Sequence, residues 1–201
     1  TPQKLWELSR ITTYDISPDS ESAVISAVSF DIELNKGNYD IYIAKGGETL
    51  PLIATEANET NPVFLDNENI LYEKDGSIYK LNLLRKTEEI FLSIYSGASA
   101  PVVSLQKDKI LFVSDVFADC PDQDCNKAKD DSISANKVKA SLFTELMFRI
   151  WNRWRGPKFS HLFIYDIKSK EYRNIIPGVR SDVPPLDLGG NQDYSFSPDG
   201  K

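Results

Sequence analysis

The chain has 201 residues and a formal net charge of −7, with 41% hydrophobic and 11% aromatic residues, the profile of a folded globular protein. That acidic balance argues against a nucleic-acid binder, which would carry a basic stripe. No apolar run approaches a membrane span, and the amino terminus lacks the basic-then-apolar pattern of a signal peptide. The start at Thr1-Pro2 reads as a mature end after processing or as a chosen boundary.

After a lead-in over 1–13, the turn signature Ile16-Ser17-Pro18-Asp19 precedes an apolar run at Ala23–Val28. Pro pre-sets φ for the first corner of such a turn, and Asp accepts turn geometry at the next. Related turns at Phe64-Leu65-Asp66-Asn67 and Val103-Ser104-Leu105-Gln106 precede runs at Ile70–Tyr72 and Ile110–Val113. Phe196-Ser197-Pro198-Asp199-Gly200 opens the same pattern again, with no strand after it. From Ser17 to Leu65 is 48 positions, from Leu65 to Ser104 is 39, and from Ser104 to Ser197 is 93. Short strands recurring at about 40 to 50 residues indicate propeller blades rather than a generic meander.

Each unit continues alike. Asp40–Ala44, Ser77–Leu81 and His161–Asp166 alternate as third strands, and Leu50–Ile53, Glu89–Leu92 and Tyr172–Ile176 follow as fourth strands. The expected fold is all-β: a partial β-propeller of about three four-stranded blades with an amphipathic helical insertion in the third. The blades fall at about 14–56, 57–97 and 98–178, the insertion at 117–158, and a further blade begins at 194–201. Within the insertion Val138, Leu142, Leu146, Ile150 and Trp154 fall four apart, which predicts a helix over 134–154 that ends at Gly156-Pro157.

Cys120 and Cys125, separated by Pro121-Asp122-Gln123-Asp124, suit a small disulfide ring and with it an oxidising compartment. Two thiols without further ligands are too few for zinc, and two free thiols on a polar loop are the plain alternative. Asp122, Asp124 and Asn126 have the spacing of a calcium loop. Lys127 and Ile133 stand where that loop needs Gly and Glu, so no metal site is expected.

No cofactor motif is present: Gly46-Gly47 and Gly189-Gly190 lack phosphate-loop spacing and read as turns, and Asn58-Glu59-Thr60 is a bare sequon. Gly97-Ala98-Ser99-Ala100-Pro101 lacks the last Gly of a nucleophile elbow and precedes a strand. The single histidine, His161, opens an apolar strand and reads as structural. No catalytic residue is nominated. Arg149, Trp151, Arg153 and Trp154 form the candidate interface, because Trp and Arg anchor interfaces; the plain alternative is Trp rings packed on the propeller beneath snorkelling Arg side chains.

Several ordered segments resemble one family. They are Leu146–Trp154, Ser160-His161-Leu162-Phe163, Asp182-Val183-Pro184-Pro185, the stretch from Gly189-Gly190 to Gly200, and the opening Thr1–Arg10 with Ile16-Ser17-Pro18-Asp19. Together they look like the N-terminal propeller region of bacterial dipeptidyl aminopeptidases or acylaminoacyl peptidases of the prolyl oligopeptidase family. The resemblance implies a propeller of seven or eight blades that caps a C-terminal α/β-hydrolase domain. That domain carries a Ser-Asp-His triad of which nothing lies in these 201 residues. It also implies a filter that admits short peptides and excludes folded proteins.

The expected partners are therefore the hydrolase domain of the same parent, short peptides and, among the options, a second copy of the chain. The expected location is periplasmic or secreted, with the cytoplasm as the alternative. The first functional expectation is the gating propeller of a serine exopeptidase. The second is a non-enzymatic periplasmic propeller module, and the third, an enzyme complete within these residues, has the least support.

Overall fold

The computed structural model describes residues 1–138, 140, 143, 146, 149–186 and 190–200. A short helix α1 (Pro2–Glu7), capped by the Thr1 hydroxyl, leads into β1 (Arg10–Ile16), β2 (Ser22–Asp31), β3 (Lys36–Lys45) and β4 (Glu48–Ile53). Tight turns join these strands, so neighbours in sequence pair antiparallel and the sheet order is the chain order. A second sheet repeats the plan with β5 (Thr60–Phe64), β6 (Asn69–Lys74), β7 (Ser77–Asn82) and β8 (Thr87–Leu92).

The third sheet opens with β9 (Ser99–Val103) and β10 (Lys109–Val116). An insertion then carries α2 (Gln123–Ala135), β11 (Arg149–Ile150) and β12 (Arg153–Trp154), before β13 (Phe159–Asp166) and β14 (Glu171–Asn174) complete it. Three antiparallel four-stranded sheets form a partial β-propeller that does not close into a ring.

The sheets stack because each has two apolar faces. Val24, Ile41 and Ile53 meet Phe64, Ile70, Tyr72 and Leu81 between the first and second sheets. Leu71, Ile78 and Leu92 meet Ile110, Phe112, Phe163 and Tyr165 between the second and third. The far face of the third sheet, Leu111, Val113 and Leu162, is covered by Val183, Tyr194 and Phe196. Central strands covered on both sides need no polar face, which is why Ile110–Val113 reads as an unbroken apolar run.

The recurring turn has one construction. Ser20, Lys107 and Gly200 adopt left-handed φ values of 61°, 59° and 77° and donate their N–H to the carbonyls of Ser17, Ser104 and Ser197. The buried Ser17 and Ser104 hydroxyls accept the N–H groups of Ser22 and Lys109, which fixes the start of the following strand. The second repeat substitutes a carboxylate: Asp66 Oδ1 accepts from Glu68 N and Asn69 N. Successive turns are also linked, since Asp19 donates its N–H to Asn67 Oδ1 and Gln106 donates to the Pro198 carbonyl.

Between the first two sheets lies a polar seam that local pattern did not reveal. Glu59 is fully buried; its Oε1 accepts from Thr55 Oγ1 at 2.5 Å and lies 3.6 Å from Lys74 Nζ, which is also 3.6 Å from Glu88. Burial first, and the nearby Glu59 charge second, hold the Asp40 carboxyl above its ordinary pKa. A carboxyl raised in the folded state binds protons more tightly there than in the unfolded chain. Ionised Asp40 therefore costs stability at neutral pH, and the cost fades as pH falls through its folded pKa. Asp40→Asn is expected to raise the urea midpoint at pH 7 and to converge with the parent near pH 3; a lower midpoint at pH 7 contradicts this.

The expected helix over 134–154 is corrected. The insertion does contain a helix, but it is α2 (Gln123–Ala135), capped by Asp122 and Asn136; it is polar and buries only Asn126. Residues 149–154 pair as a hairpin, Arg149 with Trp154 and Ile150 with Arg153. The four-residue apolar spacing matched a helical face by coincidence, whereas the helix itself was set by the Asp122 cap, whose carboxylate accepts the Cys125 N–H at 2.8 Å. Val138 and Leu146 are exposed, and Leu142 falls outside the described residues.

Candidate functional site

The insertion rises from the end of the third sheet where β10 hands over to β13. At its base Cys120 and Cys125 form a disulfide with their Cα atoms 5.4 Å apart. Two of the three residues with calcium-loop spacing are spent on local structure. Asp122 caps α2, and the buried Asn126 accepts the Phe117 N–H at 2.9 Å while donating to the Asp122 carbonyl at 2.8 Å. Among the described residues no group of three or more His, Cys, Asp or Glu has a metal-holding arrangement.

Ion pairs brace the insertion internally and against the segment after β14. Lys158 reaches Asp130 at 2.6 Å, and Arg155 pairs with Asp182 at 3.0 Å while donating to the Lys158 carbonyl. Asp182 also accepts the Ser160 N–H, and the Ser160 hydroxyl donates to Asp115. Asp130 accepts from the Tyr95 hydroxyl at 3.1 Å; desolvation first and then that acceptor push the Tyr95 pKa upward. Lys129 and Lys158 each sit over the Phe117 ring, and Arg155 lies 4.4 Å above Phe159.

The candidate interface residues converge on one hairpin. Arg149 Nε donates to the Trp151 carbonyl at 2.9 Å, which braces the turn, while Trp154 stacks on Phe143 with ring centroids 5.6 Å apart. Trp151 is 74% exposed and Trp154 65% exposed. A cavity of about 360 Å³ beneath the hairpin is lined by Asp115, Asp130, Ile133, Arg153, Trp154 and Leu186, among others.

His161 is buried, with Nε2 2.7 Å from the Val179 carbonyl and Nδ1 2.8 Å from the Asn174 amide nitrogen. Both ring nitrogens are therefore engaged in hydrogen bonds within the third sheet and the segment after it, and the side chain is spent on structure. Ser99 lies in β9 and donates to the Val113 carbonyl. These two residues do not form a nucleophile and base pair.

A second feature at the same end of the sheets escaped sequence reasoning. Trp6 packs edge-on to Phe30, and Arg10 lies 4.7 Å over Phe30 and 5.4 Å over Trp6. A cleft of about 780 Å³ opens beside them, lined also by Ile32, Leu34, Lys36 and Glu56. No periodic pattern in the sequence connects Trp6 to Phe30.

No protein-family model matches the chain. Over its whole length it is 27% identical to dipeptidyl-peptidase 5 of Porphyromonas gingivalis and 20% identical to dipeptidyl-peptidase 5 of Porphyromonas endodontalis. The chain is a β-propeller segment similar in sequence to dipeptidyl-peptidase 5. It spans 30% of the length of each of those relatives. In fold it is similar to the acylaminoacyl peptidase of Pyrococcus horikoshii, with a TM-score of 0.58 and 10% identity over 86% of this chain and 26% of that one. It is also similar to a putative TolB of Agrobacterium tumefaciens, with a TM-score of 0.51 and 15% identity over 96% of this chain and 56% of that one. No helix among the described residues is long and apolar enough to cross a membrane.

Proposed function

We propose that the chain is the substrate-gating propeller segment of a serine exopeptidase of the dipeptidyl aminopeptidase or acylaminoacyl peptidase type, acting on short peptides. The whole-length similarity to dipeptidyl-peptidase 5 carries this reading. In it, the nucleophile, base and oxyanion donors belong to a hydrolase domain elsewhere in a longer protein, and the propeller narrows the route to them. Residues 1–9 are the lead-in, shorter than the 1–13 expected from sequence because β1 already begins at Arg10; the three blades follow, and residues 194–201 begin a fourth. The Ser197–Gly200 turn, built like those at Ser17 and Ser104, supports that last assignment. The Cys120–Cys125 disulfide supports a periplasmic or secreted location.

The test is hydrolysis by the longer protein of dipeptidyl and N-acyl-aminoacyl p-nitroanilides. Turnover that a serine-directed fluorophosphonate abolishes is expected, and the 201-residue chain alone is expected to be inert. A longer protein that cleaves neither class overturns the reading. The similarity to a putative TolB favours a second reading, a non-enzymatic periplasmic interaction module. Recovery of a stoichiometric protein partner together with absence of hydrolysis would select it.

A further inference from the structure

The blade-three insertion concentrates charge of one sign. Residues 136–158 hold six basic side chains, Lys137, Lys139, Arg149, Arg153, Arg155 and Lys158, against one acid, Glu145, a net charge of +5. The whole chain carries −7, so the residues outside this segment carry −12. No acid occurs between Glu145 and Asp166. Arg155 and Lys158 are consumed locally by Asp182 and Asp130, whereas Lys137, Arg149 and Arg153 are exposed. The acids lining the cavity beneath the hairpin are already engaged, Asp130 by Lys158 and Tyr95 and Asp115 by the Ser160 hydroxyl.

The same segment turns apolar side chains outward. Trp151 at the hairpin tip is 74% exposed, Trp154 65% and Leu146 88%. The two indoles therefore do not lie packed on the propeller beneath the Arg side chains. Trp151 also takes φ 48° in the two-residue turn, a position that Gly or Asn fills more readily. The tip thus holds a large ring in water where a small polar residue would close the turn with less strain. Apolar surface of this kind, rimmed by charge, marks a contact surface.

We propose that the Arg149–Trp154 hairpin docks on an anionic lipid bilayer. Charge complementarity selects this occupant. Such a bilayer presents uniform negative charge over an apolar interior, and residues 146–165 present cations and apolar rings with no acid among them. Indole rings favour the headgroup level, where the apolar body meets acyl chains and the N–H stays wet. Trp151, Trp154 and Leu146 enter that layer, while Lys137, Arg149 and Arg153 face the lipid phosphates, which a guanidinium contacts through its planar fork. The same surface repels the −12 carried by the rest of the chain, so the molecule is oriented with the hairpin toward the lipid. The attachment is peripheral, and it does not depend on the peptidase reading.

The test is co-sedimentation of the longer protein with vesicles of phosphatidylcholine alone and of a three-to-one mixture of phosphatidylcholine and phosphatidylglycerol. Binding to the mixed vesicles is expected, weakening as salt is raised, with little binding to phosphatidylcholine alone. Lys137→Gln with Arg149→Gln should lower partitioning about 30-fold, at roughly fivefold per cation. Trp151→Asn, which suits the turn, should lower it about tenfold or more. Arg149→Lys keeps the charge but gives up the Nε bond to the Trp151 carbonyl, and should retain most of the binding. Leu84→Ser with Arg85→Gln, in the exposed β7–β8 turn, should change nothing. The charge and indole variants alter different side chains, so loss of fold in one leaves the other as the test. A protein that stays in the supernatant with both kinds of vesicle, or hairpin variants that bind as the parent does, overturns the proposal. So does a parent dimer that these variants dissolve without any vesicle binding, which hands the face to a second copy of the chain.

Discussion

Replacing Lys74 by methionine is expected to destabilise the fold by about 3 kcal/mol, because it strips a fully buried carboxylate of its counter-charge. Glu59 lies at the junction of the first two sheets with no exposed surface, and its Oε2 has no hydrogen-bond partner among the described residues. In Lys74→Met the carboxylate keeps Thr55 and loses the ammonium 3.6 Å away. The companion change Glu59→Leu should recover most of the loss when combined with Lys74→Met, since replacing a whole buried pair by apolar groups is often close to neutral. Urea unfolding of the parent, the two single variants and the double variant closes the cycle. If Lys74→Met costs no more than a surface substitution, the seam does not hold the sheets together.

The second large effect concerns association. In strand-by-strand alignment Ile16, Phe64, Val103 and Phe196 each precede the repeated turn. Phe64 is 2% exposed against the first sheet, and Phe196 packs on the third. Ile16 has no preceding sheet to meet; it is 56% exposed, and Tyr14 on the same face of β1 is 70% exposed. The isolated chain is therefore expected to self-associate through this face, as seen by sedimentation equilibrium. Burying a large apolar side chain contributes roughly 1.5–3 kcal/mol. Tyr14→Lys with Ile16→Lys should thus weaken association by about two orders of magnitude or more. A parent chain that stays monomeric at every concentration, or a variant that associates equally well, contradicts the assignment of this face.

The blades were legible in the sequence because their information is local. A Ser or Asp hydroxyl or carboxylate closes each turn onto the next strand, and runs such as Ile110–Val113 declare burial on both faces. The insertion was legible in place but not in form. Apolar residues at four-residue spacing from Val138 to Trp154 imitated a helical face, while the actual helix is polar and owes its start to Asp122, which drew notice only as a candidate calcium ligand. The hairpin pairing of Arg149 with Trp154 carries no Asn-Gly or Asp-Gly turn signal, because Trp151 occupies the position glycine would announce.

Long-range polar links were invisible for a different reason. Nothing near Glu59 in sequence predicts Lys74 as its partner, and nothing near Trp6 predicts that its ring meets Phe30. The grouping of Arg149, Trp151, Arg153 and Trp154 could be read from composition alone. Their common end of the sheets could be assigned only after strand directions were known.

The central claim is that these three sheets are consecutive blades of a larger ring. A cryo-electron-microscopy structure of the longer protein tests it most directly. The account predicts a closed propeller in which another four-stranded sheet covers Tyr14 and Ile16, as the second sheet's Phe64 covers the first. Three sheets left as an open stack, with that face in solvent or against a helical domain, would contradict it.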